Sequence, residues 1–164
     1  CQAAQVQVDA LAKVLSDAGP PDADALPIGI ELVEPQVSAD PRQAACYKRI
    51  GVAAARTEIL ALAQMVQARF AKTPLLYGNR YNLGLLTDSR SDAFMIWLAA
   101  YTASSDKSAR KLPGRNPWTI WQYSGTLNVR AIGSAVTGDV FFGTRAQYAL
   151  FRRGRTNVGL SAVQ

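Results

Sequence analysis

Ile59-Leu60-Ala61-Leu62-Ala63-Gln64-Met65-Val66-Gln67-Ala68-Arg69-Phe70, followed closely by Pro74-Leu75-Leu76-Tyr77, is the stretch that decides the fold class. Ile59, Leu62, Met65, Val66 and Phe70 recur at helical spacing, so a helix over 51–71 carries one apolar stripe. Pro74 cannot continue a helix, and the short apolar run after it reads as a strand. Upstream, Leu26-Pro27-Ile28-Gly29-Ile30-Glu31-Leu32-Val33-Glu34 is another brief apolar run, ending in carboxylates before Pro35. It reads as a buried strand with polar function at its tip. Strand, long helix, strand implies a parallel crossover.

The flanks extend this pattern. Residues 3–18 read as a helix with Val6, Ala10, Leu11, Val14 and Leu15 on one face, stopped by Gly19-Pro20-Pro21. Residues 35–50 read as a long polar loop, and 79–86 as a loop with a short helix. Residues 94–101 are nearly all apolar, as in a strand covered on both faces. A basic loop with Lys107, Arg110, Lys111 and Arg115 follows, then a strand over 118–123. Short strands at 128–132 and 138–142 and a helix over 144–152 complete the chain, with a basic tail carrying Arg152, Arg153 and Arg155. The class is α/β: a barrel that begins as β/α units and loses its helices among the later strands. One domain over 1–151 and a tail over 152–164 are expected.

Composition narrows the chemistry. The 164 residues include no histidine, so neither a His-dependent nucleophile system nor His-ligated zinc can be built. Acid–base work falls to carboxylates, Tyr or Lys. Phosphate-binding and dinucleotide fingerprints and metal-ligand spacings are absent, so neither cofactor nor metal is expected. A net charge of +6 suits a polyanionic partner. Nucleic acid is not expected, because the basic residues flank loops without forming a stripe interleaved with aromatics. No apolar run of about 18 residues predicts a membrane span. No secretory leader is visible at residue 1, so an exported chain would have shed it. Cys1 and Cys46 can pair across a long loop or remain two buried thiols.

Five elements, in order, resemble glycoside hydrolase family 25, the Chalaropsis-type lysozymes. They are Leu26-Pro27 with the acidic strand end, Cys46-Tyr47 before the long helix, Pro74-Leu75-Leu76-Tyr77, Trp97-Leu98-Ala99-Ala100-Tyr101, and Trp118-Thr119-Ile120-Trp121-Gln122-Tyr123-Ser124 with Phe141-Phe142-Gly143-Thr144. The resemblance implies a modified TIM-like β/α barrel that hydrolyses the β-1,4 bond between N-acetylmuramic acid and N-acetylglucosamine in peptidoglycan. It implies a secreted, periplasmic or wall-associated protein with acidic groups at the C-terminal ends of strands.

Three departures from the family pattern stand out. The family's opening strands, the first carrying an Asp, have no counterpart here, so the barrel looks incomplete at its N-terminus, and a missing segment or companion chain would supply the rest. The family's Asp-x-Glu places Glu31 at the Asp position and Val33 at the Glu position, with Glu34 next. Near the end, Val136-Thr137-Gly138-Asp139 puts Thr137 where the family has Asp and leaves Asp139 two residues on. The catalytic candidates are therefore Glu34, Glu31 and Asp139. The bland alternatives are solvated strand-end glutamates and a turn aspartate. Tyr77, Tyr101, Trp121, Gln122 and Tyr123 are candidates to line a sugar cleft, against the alternative of core aromatics; Trp97 reads as core. A second reading is a catalytically impaired relative that binds wall glycan.

Overall fold

The computed structural model describes residues 2–19, 22, 24–32, 41–101 and 118–154, with only the backbone of 41–49. Its elements are helix α1 (Ala4–Asp17), strand β1 (Gly29–Glu31), helix α2 (Pro41–Phe70), strand β2 (Leu75–Asn79) and helix α3 (Arg80–Leu86). A 3-10 turn (Ser89–Ala93), strands β3 (Met95–Ala99), β4 (Ile120–Asn128) and β5 (Ala135–Phe141), and helix α4 (Arg145–Arg152) follow. The strands form one five-stranded sheet in sequence order. β1 to β4 run parallel, and β5 returns antiparallel to β4. β1 and β5 are the edges, so the described sheet is an open portion of a barrel and not a closed one.

Strand alternation sorts the side chains onto two faces. On one face Ile30, Leu32, Leu76, Ile96 and Leu98 pack with Ala55, Ala63 and Val66 of α2 and with Leu83 and Leu86 of α3. The stripe expected for the long helix is the one that packs here: Ile59, Leu62, Met65 and Phe70 join Val66 against this core. On the other face Leu75, Met95 and Ile120 enclose Phe151 of α4, which is fully buried. α4 is started by a capping box, with the Thr144 hydroxyl accepting from the Gln147 backbone N–H and the Gln147 side chain from that of Thr144. Its far end is tied back to the segment before β1. Lys72 Nζ donates to the carbonyls of Ala25 and Arg152, and Arg152 Nε donates to the carbonyl of Asp24. α4 thus runs from the β5 edge to the β1 edge beneath the inner face.

Several expectations need correction. The segment 41–50, expected as loop, is helical, and α2 bends at Gly51, whose φ of 75° and ψ of 165° are outside helical values. The helix expected over 51–71 is present as the part of α2 after Gly51, and a second helical segment precedes it; glycine tolerates the positive φ that the break between them needs. In α1 the packed face is Ala4, Val8 and Leu11. Val6 and Val14, expected to be inward, are 52% and 64% exposed. Alanine and valine populate both sides of this helix, so only its partner α2 selects a face. The strand expected at 128–132 is a turn, closed by the Ile132 N–H on the Val129 carbonyl, and β4 is correspondingly longer. The expected domain end at 151 lies inside α4, one residue before its last. Cys1, the basic loop at 107–115 and residues 155–164 are outside the described residues, as is the Cys46 side chain. Among the described residues, no helix is long and apolar enough to cross a membrane.

Candidate active site

The parallel strands deliver their C-terminal ends to one side, where barrel and open-sheet sites form. Register brings specific residues into rows there. Glu31 pairs with Tyr77, and Tyr77 with Trp97. One step further, Asn79 pairs with Ala99, Ala99 with Gln122, and Gln122 with Asp139. Paired residues point to the same side of a sheet, so Glu31, Tyr77, Trp97, Gln122 and Asp139 share the inner face. Phe151 and its neighbours form the floor beneath them.

Side-chain contacts join these rows. The Tyr77 hydroxyl donates to Gln122 Oε1 at 2.9 Å, and the Tyr101 hydroxyl donates to the same oxygen at 2.7 Å. Gln122 is only 5% exposed, so its amide is a fixed polar centre. The Trp97 indole N–H donates to Asp139 Oδ1 at 2.7 Å, and its ring lies 4.9 Å from that of Tyr77. Burial raises the Tyr77 phenol above its ordinary value, and Tyr101, Glu31 and Asp139 push it further the same way. Glu31 and Asp139 therefore both act electrostatically on one hydroxyl, which stays protonated as a donor. Two carboxylates, a neutral amide, two phenols and an indole gathered on one sheet face at the strand ends are groups suited to recognition and acid–base cleavage of a polyhydroxylated ligand.

The expected site residues divide accordingly. Glu31, Asp139, Tyr77, Tyr101 and Gln122 come together. Trp121 and Tyr123 stand apart on the opposite face: the Trp121 indole donates to the Ala100 carbonyl, and its ring contacts Trp118 and Tyr123 at 5.7 and 5.9 Å. Glu34 lies outside the described residues. Asp139 sits within β5 and not in a turn. Trp97, read as core, does pack partly buried against the Phe151 cluster, and its indole N–H also holds the Asp139 carboxylate. The signal was present in the alternation Met95, Trp97, Ala99, which shares a face with Tyr77 once the strands pair in register. Asn82 was not anticipated at all. It is 5% exposed, and its Nδ2 donates to the Leu32 carbonyl at 2.8 Å, holding the end of β1. Among the described residues no group of three His, Cys, Asp or Glu side chains is placed to hold a metal ion.

The sequence model for Glycosyl hydrolases family 25 matches residues 24–132. Similar solved structures include the bacterial lysozyme of Streptomyces coelicolor, with a TM-score of 0.64, 23% identity, and coverage of 82% of this chain and 59% of that one. A muramidase from Trichobolus zukalii gives 0.62 at 18% identity, covering 81% and 58%. A family GH25 lysozyme from Aspergillus fumigatus gives 0.59 at 22% identity, covering 82% and 59%. The chain spans about three fifths of the length of these structures. At such identities the likeness speaks for the fold. No curated protein matches the chain.

Proposed function

The chain belongs to glycosyl hydrolase family 25, and on that premise we propose that it acts as a peptidoglycan hydrolase, a muramidase working outside the cell on the β-1,4 bond between N-acetylmuramic acid and N-acetylglucosamine. The observation that carries this reading is the shared inner face of Glu31 and Asp139, with Tyr77, Trp97 and Gln122 between them at the strand ends. Glycoside cleavage needs one carboxyl group to protonate the leaving oxygen and an anionic group to support the oxocarbenium-like centre. Glu31, the last residue of β1, or Glu34, three residues further along the chain, supplies the proton. Asp139, oriented by the Trp97 indole, supports developing positive charge or aligns the sugar. Tyr77, Gln122 and Tyr101 offer the polar contacts that fix the ring. The net charge of +6 favours residence on an anionic wall.

The test is clearance of a peptidoglycan suspension by the full chain and by Glu31→Gln, Glu34→Gln and the double variant. General-acid loss costs about 10²–10⁴-fold in rate. The double variant should lose at least that much. Wild-type activity persisting in the double variant would remove both glutamates from the mechanism. A wild-type chain that binds peptidoglycan without clearing it would leave a glycan-binding domain.

A further inference from the structure

Tyr101 combines two properties that rarely coexist: it is 60% exposed, yet its ring is held at two places. Its hydroxyl donates to the buried Gln122 amide oxygen at 2.7 Å. Its ring edge rests on β4 at Gly125. A Cβ added at Gly125 would stand 3.3 Å from Tyr101 Cζ and 3.5 Å from Cε2 and from the hydroxyl oxygen. The approach to Cζ is tighter than side chains normally pack, so a methyl there shifts the ring by a few tenths of an ångström and a larger side chain shifts it further. The backbone is shaped for this approach. The β4–β5 register shifts between Gln122 and Ser124 and again between Ser124 and Leu127, and Gly125 lies within the second irregularity. Such bulges re-aim side chains beside functional sites. Gly125 does not have a positive φ, so its lack of a side chain serves the ring and not the backbone.

We propose that Gly125 is a positioning residue for glycan binding: its bare backbone and the Gln122 amide seat Tyr101 as a fixed wall of the groove, against which an N-acetylhexosamine ring stacks. This rests on the muramidase reading and adds the determinant of sugar affinity. An exposed tyrosine in solution samples several rotamers, and fixing it costs side-chain entropy at binding. Here that ordering is done in advance. The free face of the ring is then available to the apolar C–H face of a pyranose, the packing aromatic rings favour.

The experiment compares wild type with Gly125→Ala, Gly125→Leu, Tyr101→Ala and the Gly125→Leu/Tyr101→Ala double variant, all as the full chain. Calorimetric titration with tri-N-acetylchitotriose gives Kd, and solubilised peptidoglycan gives KM and kcat. Gly125→Ala should weaken Kd and KM about threefold, and Gly125→Leu about tenfold, from displacement of one aromatic contact. kcat should stay within about twofold, because the contact is made equally before and during cleavage. The double variant should bind no worse than Tyr101→Ala, because both changes remove one wall. Because Gly125 is exposed, urea midpoints should not move, and Gly125→Ala carries the test should the leucine variant unfold. Unchanged Kd in a folded Gly125→Leu, additive losses in the double variant, or an effect confined to kcat would overturn the proposal. A wild type that neither binds nor cleaves glycan removes the parent reading and this one together. A wild type that cleaves while its Gly125 variants bind normally removes this one alone.

Discussion

Phe151→Ala should be the most destabilising single truncation near the site. Phe151 is fully buried and is enclosed by Leu75, Met95 and Ile120, one residue from each of three adjacent strands. Its ring also lies 5.2 Å from Phe141 and 5.9 Å from Tyr148. Truncating a buried Phe to Ala costs about 3–5 kcal/mol, and lost aromatic pairs add about 0.5–1.5 kcal/mol each where the geometry is good. The upper part of the range, about 4–5 kcal/mol, therefore applies. Trp97 and Phe141, partly buried against the same cluster, lose packing with it. Against a typical total of about 5–15 kcal/mol, this is roughly a quarter or more of the stability. With a urea slope near 2 kcal/mol/M, the midpoint falls by roughly 2 M, and the melting temperature by roughly 10 °C. Leu150→Ala is the control: Leu150 is 42% exposed on the outer side of α4 and should change stability by less than about 0.5 kcal/mol. Urea denaturation followed by far-UV circular dichroism measures both. A loss under about 1 kcal/mol for Phe151→Ala would refute the picture of α4 as the floor of the groove.

Two further outcomes follow from the same geometry. Asn82→Ala leaves the buried Leu32 carbonyl without its donor and should lower stability by about 1–3 kcal/mol, with Asn82→Asp worse because it also buries a charge beside that carbonyl; equal urea midpoints for wild type and both variants would contradict it. The Tyr77 phenol is held above its ordinary value of 10.0, chiefly by burial. A raised phenol pKa means its contribution to stability is fully present below 10.0 and is lost as pH rises through the raised value. Absorbance at about 295 nm should therefore show a late alkaline phase that Tyr77→Phe deletes; a titration curve identical in the two proteins would show Tyr77 to be an ordinary surface phenol.

Local pattern made much of the architecture legible. The stripe Ile59, Leu62, Met65, Val66, Phe70 is a property of helical geometry and needs no partner to be recognised. The short apolar runs at Leu75–Tyr77 and Phe94–Tyr101, broken by turn residues, mark buried strands in the same way, and α4 announces itself through Thr144 and Gln147. The absence of histidine, also plain in the chain, confined acid–base chemistry to carboxylates and phenols. Tyr77, Tyr101 and Gln122 could be picked out as candidates because they stand at or near strand ends, and register and hydrogen bonding then bring them together.

What chain order cannot contain is which side of each strand faces the groove. Trp97 and Trp121 are both tryptophans inside apolar strands, yet one holds Asp139 and the other packs away from it against Trp118. The difference is set by register with neighbouring strands and by which face α2 and α3 cover. Val6 and Val8 of α1 differ likewise, because two apolar faces compete and only α2 chooses. Gly125 is one glycine among twelve until the Tyr101 ring is laid across it. Residue periodicity is a short-range property carried by the backbone itself. Facing, register and close approach arise between segments far apart in sequence, and only their packing supplies them.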